Sequence, residues 1–376
     1  MVSFTDPAQP RIGLFERARG AANRLVAKPG FQSWAARFPL TRRIARKEGE
    51  ALFDLVSGFV QSQALWALVE LDVLRDLAQH PQSAANLGLK HGIASERMTL
   101  LLRAGAAMGL MREGSAGFHI TRKGSALLGV PGLEAMIRHH DVLYRDLADP
   151  IAVLKGEKKT ELAEFWPYVF GGAMPAEQAE VYSDLMADSQ KLVIEDTLHA
   201  VSFKGVKRLM DVGGGSGAFL SAVLKSTKPL EGIVFDLPEV VPHSLARFDQ
   251  EGLASRAEVR AGSFKTDALP QGADMISLVR VLYDHSDETV ADLLAKAYAA
   301  LPEGGRILVS EPMLGDSKPH RPGDVYFAFY CMAMRTGRAR QPAQIAEMLK
   351  NAGFGEVNCP VVARPFVTSV VLGQKI

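Results

Sequence analysis

The sequence predicts a two-part chain: a Rossmann-like, doubly wound α/β unit with a mostly parallel sheet, preceded by an α-helical winged-helix unit. Three observations predict it. From residue 206 onward, apolar strand-like runs alternate with helical patterns, the signature of parallel strands joined by crossover helices. One run, 209–212, leads directly into Gly213, Gly214, Gly215, Ser216 and Gly217 and then into an apolar helical stretch. Residues 50–130 read as three helices, a short hairpin and a further helix, which is the winged-helix plan.

The 376 residues suffice for two domains. The net charge of +1 gives no polyelectrolyte character and no compositional case for nucleic acid. Cys331 and Cys359 form no disulfide framework and no C-x-x-C pattern, so a reducing, cytoplasmic compartment and no metal are expected. No uninterrupted apolar run of about 18 residues occurs, so no membrane span is expected.

In chain order, residues 1–47 form a basic, aromatic arm. The first 50 residues hold ten lysines or arginines against four acids, with Phe15, Leu25, Phe31, Trp34, Phe38 and Leu40 interleaved. That mixture suits an anionic bilayer surface; it also suits a solvated arm packed on the fold or a partner. Residues 48–130 are the winged-helix unit. Its first helix, over 50–74, is apolar on more than one face and is expected to be buried. A short helix follows over 84–90. A third begins at Ser95, read as its N-cap, and a hairpin turns about Gly114–Gly117. The third helix offers mainly Leu100, Leu101, Leu102, Met108 and Leu110, with only Arg97 and Arg103 basic. A DNA reader needs a basic exposed face, so dimerisation through the first helix is the favoured role. Residues 131–205 are a helical connector, with one long helix expected over 175–200. Trp166, Tyr168, Phe170, Met174, Tyr182 and Met186 are either core or an apolar substrate wall.

Residues 206–376 form the α/β unit, with strands expected at 208–212, 232–236, 257–261, 275–281, 306–310, 355–360 and 366–372. Helices follow Gly217, Pro238, Ser286 and Pro342. Ligands in such sheets lie beyond the carboxyl ends of the strands. The residues to examine are therefore the glycine loop, Asp236, Ser263–Phe264, Tyr283–His285 and Glu311.

Gly213, Gly215 and Ala218 satisfy the dinucleotide pattern G-x-G-x-x-G/A, but Asp211 argues against a dinucleotide. It stands two residues before the first glycine, where its negative charge would repel a pyrophosphate and attract a cationic ligand. Asp236 ends the next apolar run and can take two ribose hydroxyls. The D-x-G-x-G-x-G pattern with a following strand-end acid resembles a class I S-adenosylmethionine (SAM) methyltransferase, which implies SAM as cofactor.

The ordered segments LMDVGGGSG, IVFDLPEVV, AGSF, LVRVLYDHSDE, ILVSEPML and NAGF resemble the plant-type O-methyltransferase family. The resemblance spans about residues 48–376 and implies a winged-helix dimerisation domain, a SAM domain and a homodimer. The segment from Asn23 to Gln63 resembles more narrowly the purple-bacterial branch that methylates the 1-hydroxyl of acyclic carotenoids. That implies a membrane-borne carotenoid acceptor and a peripheral contact with the inner membrane.

The cofactor contacts implied are Asp211, Gly213, Gly215, Gly217, Asp236, Leu237, Gly262, Ser263, Phe264 and Arg280. Ser263 and Phe264 replace the family's Asp-Met pair, so stacking on adenine survives while one carboxylate contact is lost. The family's catalytic His-Asp-Trp reads Tyr283, Asp284, His285 here. Glu311 matches the first supporting glutamate; the second falls at Ala339 and is missing. The reading at this level makes His285 the proton acceptor, Tyr283 the group orienting the hydroxyl, and Glu311 their support. The run from Asp324 to Met334 supplies candidate substrate contacts at Phe327, Tyr330 and Met334, with Met186 from the connector. Other apolar acceptors (a tetrapyrrole carbon, an aromatic polyketide hydroxyl), a winged-helix regulator and a nicotinamide-dependent oxidoreductase stay open on the sequence.

Overall fold

The computed structural model describes residues 13–165 and 190–376. Met186 lies outside the described residues, as do Trp166, Tyr168, Phe170, Met174, Tyr182 and most of the long helix expected over 175–200.

Two short helices open the described chain, α1 (Leu14–Val26) and α2 (Pro29–Arg37). A long one follows, α3 (Arg42–Glu70), and runs unbroken through the expected arm boundary at 47/48. Its burial differs from expectation. Only Leu68 and Val69 are buried in α3, while Leu52, Phe53, Leu55, Val56, Phe59 and Val60 stand exposed. Among the described residues α2 and the later helices Val73–Gln79, Ser95–Ala107 and Leu133–Asp146 pack on this helix, and none of them covers these six side chains. By length and composition alone α3 could cross a bilayer, with a mean hydropathy of 1.3 in its most apolar window.

The winged-helix unit follows as α4 (Val73–Gln79), α5 (Ala84–His91), α6 (Ser95–Ala107), β1 (Met111–Gly114), β2 (Gly117–Ile120) and α7 (Arg122–Gly129). Its core is Leu68, Leu74, Leu87, Met98, Leu102, Met111 and Phe118. Ser95 is the first helical residue of α6 rather than its cap; Ala94 holds that position, without a side-chain bond. Ser83 and Thr121 do cap α5 and α7 by accepting backbone N–H groups.

The connector begins with α8 (Leu133–Asp146), which docks on α3: Trp66 Nε1 donates to Arg138 O at 3.3 Å, and Arg138 donates to Val69 O at 2.9 Å. Short helices α9 (Pro150–Leu154) and α10 (Glu161–Phe165) follow. Both oxygens of the buried Asp146 accept backbone N–H groups at the start of α10. Residues 190–200 form α11.

The α/β unit supplies β3 (Arg208–Val212), α12 (Ala218–Ser226), β4 (Glu231–Asp236), α13 (Val241–Gln250), β5 (Ala257–Ala261), β6 (Met275–Val279), α14 (Asp287–Ala300) and β7 (Arg306–Glu311). It closes with α15 (Ala328–Met334), α16 (Pro342–Asn351), β8 (Phe354–Asn358) and β9 (Ser369–Lys375). The seven strands lie in the order β5-β4-β3-β6-β7-β9-β8. Five are parallel; β9 runs antiparallel to both β7 and β8. A hydrophobic layer fills each face of the sheet, which is why strands such as β6 read as continuous apolar runs. The order reverses between β3 and β6, and the crevice there receives the glycine loop on one side and residues 280–285 on the other.

Candidate active site

The glycine loop is built for a close ligand. Gly213, Gly215 and Gly217 take φ of 68°, 58° and 72°, a region that a side chain strains. Between them, a Cβ on Gly214 would come within 2.7 Å of Asp211 Oδ2, so only glycine leaves that carboxylate open. Asp211, one residue before the end of β3, is fully buried; Ser277 Oγ donates to its Oδ1 at 2.6 Å, and its Oδ2 has no partner among the described residues. Burial pushes this carboxyl up to about 7, against the pull of the Ser277 bond. An unpartnered buried oxygen of this kind is costly and marks the place for a cationic donor group.

Asp236 ends β4. Its two oxygens accept the Gly215 and Leu237 N–H groups, both at 2.7 Å, which fixes the carboxylate at the loop. Burial raises its pKa and these two bonds lower it again. Helix α13 braces the loop from outside: Ser244 Oγ donates to Gly215 O at 2.6 Å and Arg247 Nε to Ser216 O at 2.9 Å. Gly262 N–H donates to Asp236 O, and Ser263 N–H to Asp267 Oδ2. Asp211, the glycines, Asp236, Leu237, Gly262, Ser263 and Phe264 thus gather at the ends of β3, β4 and β5. The positively charged sulfonium and amino group of SAM, its ribose diol and its adenine find a matching carboxylate, a second carboxylate and an aromatic ring here. The residues present fit that cofactor.

The reactive turn follows β6. Arg280 takes φ of 59° and its N–H donates to Ser310 O at 2.8 Å. Residues Leu282–Asp284 form a single 3₁₀ turn. Arg340, 1 % exposed, fastens it by donating to Leu282 O and His285 O, each at 2.8 Å, while its Nε bonds Asp287. Glu311 Oε2 accepts the Tyr283 N–H at 3.1 Å; its Oε1 has no partner among the described residues, and burial pushes the carboxyl up to about 7. Glu311 therefore supports the backbone of the turn, not the side chain of a base.

Tyr283 and His285 do not share a task in this geometry. The Tyr283 ring is buried with Cys331 and Ala339, beside Leu314 and Phe327. Its hydroxyl accepts from Arg280 Nη2 at 3.1 Å, and burial holds it protonated, far above the usual phenol range. The His285 ring points elsewhere, edge-on to Phe264 with centroids 5.2 Å apart. His285 therefore packs on Phe264, the residue expected to stack on adenine, and not on Tyr283. Burial lowers its pKa to about 4, with Lys265 and Arg340 adding to the effect.

The substrate candidates divide as well. Phe327 packs with Tyr283. Tyr330 is half-buried and bonds His139 of α8, the Oη and Nε2 lying 3.1 Å apart. Met334 is 1 % exposed and sits with Leu143, Leu162 and Ala333. Met334 lies on the part of α15 that meets α8 and α10, with Tyr326 and Tyr330 packed against the same cluster.

Two features were missed in the sequence. Asp284 is buried at 7 % exposure with Oδ1 unpartnered among the described residues, and burial pushes it up to about 8; its place between Tyr283 and His285 does not by itself announce that burial. His139 and His140 bond Tyr330 and Tyr326, and nothing local marks two histidines on a distant helix as partners of α15.

A model of the O-methyltransferase domain matches residues 144–355, more than half of the chain, and a model of the O-methyltransferase dimerisation domain matches residues 53–129. The chain belongs to the O-methyltransferase family. It carries the SAM site of such an enzyme and the dimerisation domain, whose first helix is the open apolar face of α3. Among its relatives is the demethylspheroidene O-methyltransferase of Cereibacter sphaeroides, 52 % identical over 99 % of this chain and 98 % of that one. The enzyme of the same name from Rhodobacter capsulatus is also 52 % identical, over 98 % and 91 %. Of solved structures, the mitomycin 7-O-methyltransferase MmcR superposes with a TM-score of 0.74 at 21 % identity, covering 89 % of this chain and all of its own. CalO1, a methyltransferase of calicheamicin biosynthesis bound to SAH, gives 0.73 at 26 % identity, covering 88 % and 98 %.

Proposed function

We propose that this O-methyltransferase methylates the tertiary 1-hydroxyl of an acyclic carotenoid. The observation that carries the reading is the 52 % identity, along nearly the whole chain, to relatives named for demethylspheroidene. The site suits such an acceptor. A phenol is acidic enough for a histidine base, but a tertiary alcohol is not, and the reactive turn offers Tyr283 in the position where its wider family keeps that base.

When bound, SAM supplies an electrophilic methyl on a sulfonium. Asp211, Gly213, Gly215, Gly217, Asp236, Leu237, Gly262, Ser263 and Phe264 hold it, with the His285 ring backing Phe264. Arg280 fixes the Tyr283 oxygen, which leaves the Tyr283 O–H proton to hydrogen-bond and orient the acceptor oxygen. Glu311 and Arg340 hold the turn that carries Tyr283. Phe327 and Tyr330 form the wall on the acceptor side, and Met186 is assigned to the same wall. Acceleration comes mainly from alignment and exclusion of water. The alcohol need not ionise first: once the methyl is on its oxygen, the resulting oxonium is a far stronger acid than any imidazolium, so a weak base takes the proton late.

The same reading divides the labour along the chain. Residues 1–47 form a membrane-facing arm, 48–130 the homodimer contact, 131–205 the acceptor wall and 206–376 the SAM unit. The enzyme works at the cytoplasmic face of the membrane that holds its substrate. The test is transfer from labelled SAM by the purified protein. The expected product is a methyl ether of a detergent-dispersed 1-hydroxycarotenoid. Label appearing only in a parallel panel of phenols and tetrapyrroles would discard the carotenoid assignment.

A further inference from the structure

A methyl transfer to an alcohol ends with a proton that must leave, and the reactive turn has no good place for it. Tyr283 already holds its own proton, and so does Asp284 at neutral pH, since burial pushes its carboxyl up to about 8. Glu311 is committed to the Tyr283 backbone. His285 faces Phe264. Two further imidazoles come from a different part of the chain. Helix α8 carries His139 and His140 side by side, and each meets a tyrosine of the segment 321–334: His139 Nε2 lies 3.1 Å from Tyr330 Oη, and His140 Nε2 lies 2.9 Å from Tyr326 Oη. The two tyrosine rings stack, with centroids 6.0 Å apart.

The two pairs are not equivalent. Tyr330 lies on α15, which packs against the turn Leu282–Asp284, and its hydroxyl feels Tyr283, Arg280 and Asp284. Tyr326 precedes α15, and its hydroxyl feels Arg280 and Tyr144, with neither Tyr283 nor Asp284 among the groups that act on it. Burial keeps His139 neutral, so its Nε2 can accept from a tyrosine O–H.

We propose that Tyr330 and His139 form the proton exit of the reaction, linking the acceptor oxygen to α8. The inference rests on the O-methylation reading above. As the methyl passes, the S–CH3 bond breaks with its electron pair left on sulfur, and the O–CH3 bond forms. The oxonium proton goes to Tyr330 Oη while the Tyr330 O–H proton goes to His139 Nε2. The products are the ether, S-adenosylhomocysteine and an imidazolium, which carries the positive charge that the sulfonium brought. Tyr330 is then a catalytic residue, and His139, acting through it, a positioning and proton-accepting partner.

The experiment compares full-length variants on the 1-hydroxycarotenoid, with the wild type assayed first. Transfer by the wild type secures the parent reading, and the variants then judge the exit alone. Tyr330→Phe and His139→Gln are each expected to lower kcat roughly tenfold or more, with KM for SAM and for carotenoid within about twofold. Gln keeps a hydrogen bond to Tyr330 but cannot take its proton. The double variant should fall no further than either single one, as for groups acting as a unit. Tyr326→Phe with His140→Gln should leave kcat within about twofold. Full kcat in His139→Gln beside a loss in His139→Ala would overturn the proposal in favour of a plain hydrogen-bonded brace. So would an equal loss from the Tyr326–His140 pair.

Discussion

Single residues decide which half of the site does what. His285 follows Asp284 by one position and Tyr283 by two, and the sequence therefore invites pairing it with Tyr283. The 3₁₀ turn separates them: Tyr283 turns towards Cys331 and Phe327, and His285 towards Phe264. The consequence is measurable. His285→Ala removes an edge-to-face aromatic contact of about 0.5–1.5 kcal/mol, so KM or Kd for SAM should rise about two- to tenfold while kcat at saturating SAM stays within about threefold. A tenfold or greater fall in kcat with unchanged SAM binding would return His285 to the role of proton acceptor. Other residue assignments could be read without coordinates because they follow from local chemistry. A carboxylate before a glycine loop and another at the end of the next strand have few alternatives in a parallel sheet. Asp284 and the His139–Tyr330 pair were not legible, since burial and a contact across 191 positions are properties of the fold.

Elements show the same division. The central strands of the α/β unit were readable within a few residues because they are runs of mostly buried apolar side chains between glycine, proline or acidic stops, while the edge strands β5 and β8 are more exposed. Helix α3 was recognisable as a helix, but its environment was not. An apolar helix reads as buried, and here six large side chains from Leu52 to Val60 stand in the open along one chain. Patches of that size on a folded unit mark an interface, and the dimerisation-domain match begins at residue 53. Charges placed on that face should therefore separate subunits without unfolding them. Phe53→Glu with Phe59→Glu is expected to convert the protein to a monomer in size-exclusion chromatography with light scattering. The circular dichroism of the α/β unit should be retained. A variant that stays dimeric would put the subunit contact elsewhere.

At the scale of the whole molecule, the SAM site and the arm lie at opposite ends of one argument about substrate. In the proposed reading the site at the strand ends is polar on the SAM side and aromatic on the acceptor side, where Phe327 packs on Tyr283 and Tyr330 meets α8. A C40 polyene that fits such a wall is dissolved in lipid, so turnover depends on reaching a bilayer. Helices α1 and α2 present what that requires: Phe15 is 94 % exposed, and the half-exposed Trp34 stacks on Phe38 at 4.8 Å, in a stretch of sequence rich in arginine. Rings of this kind enter the headgroup region, and basic side chains beside anionic lipid add about 1 kcal/mol each. Deleting residues 1–46 is therefore expected to abolish co-sedimentation with vesicles rich in anionic phospholipid. Binding by the intact protein should weaken as salt rises. Methylation of carotenoid embedded in those vesicles should fall with binding, whereas methylation of detergent-dispersed carotenoid should persist. If the shortened protein still sediments with the vesicles, the arm is not the docking element and the open face of α3 becomes the surface that meets lipid.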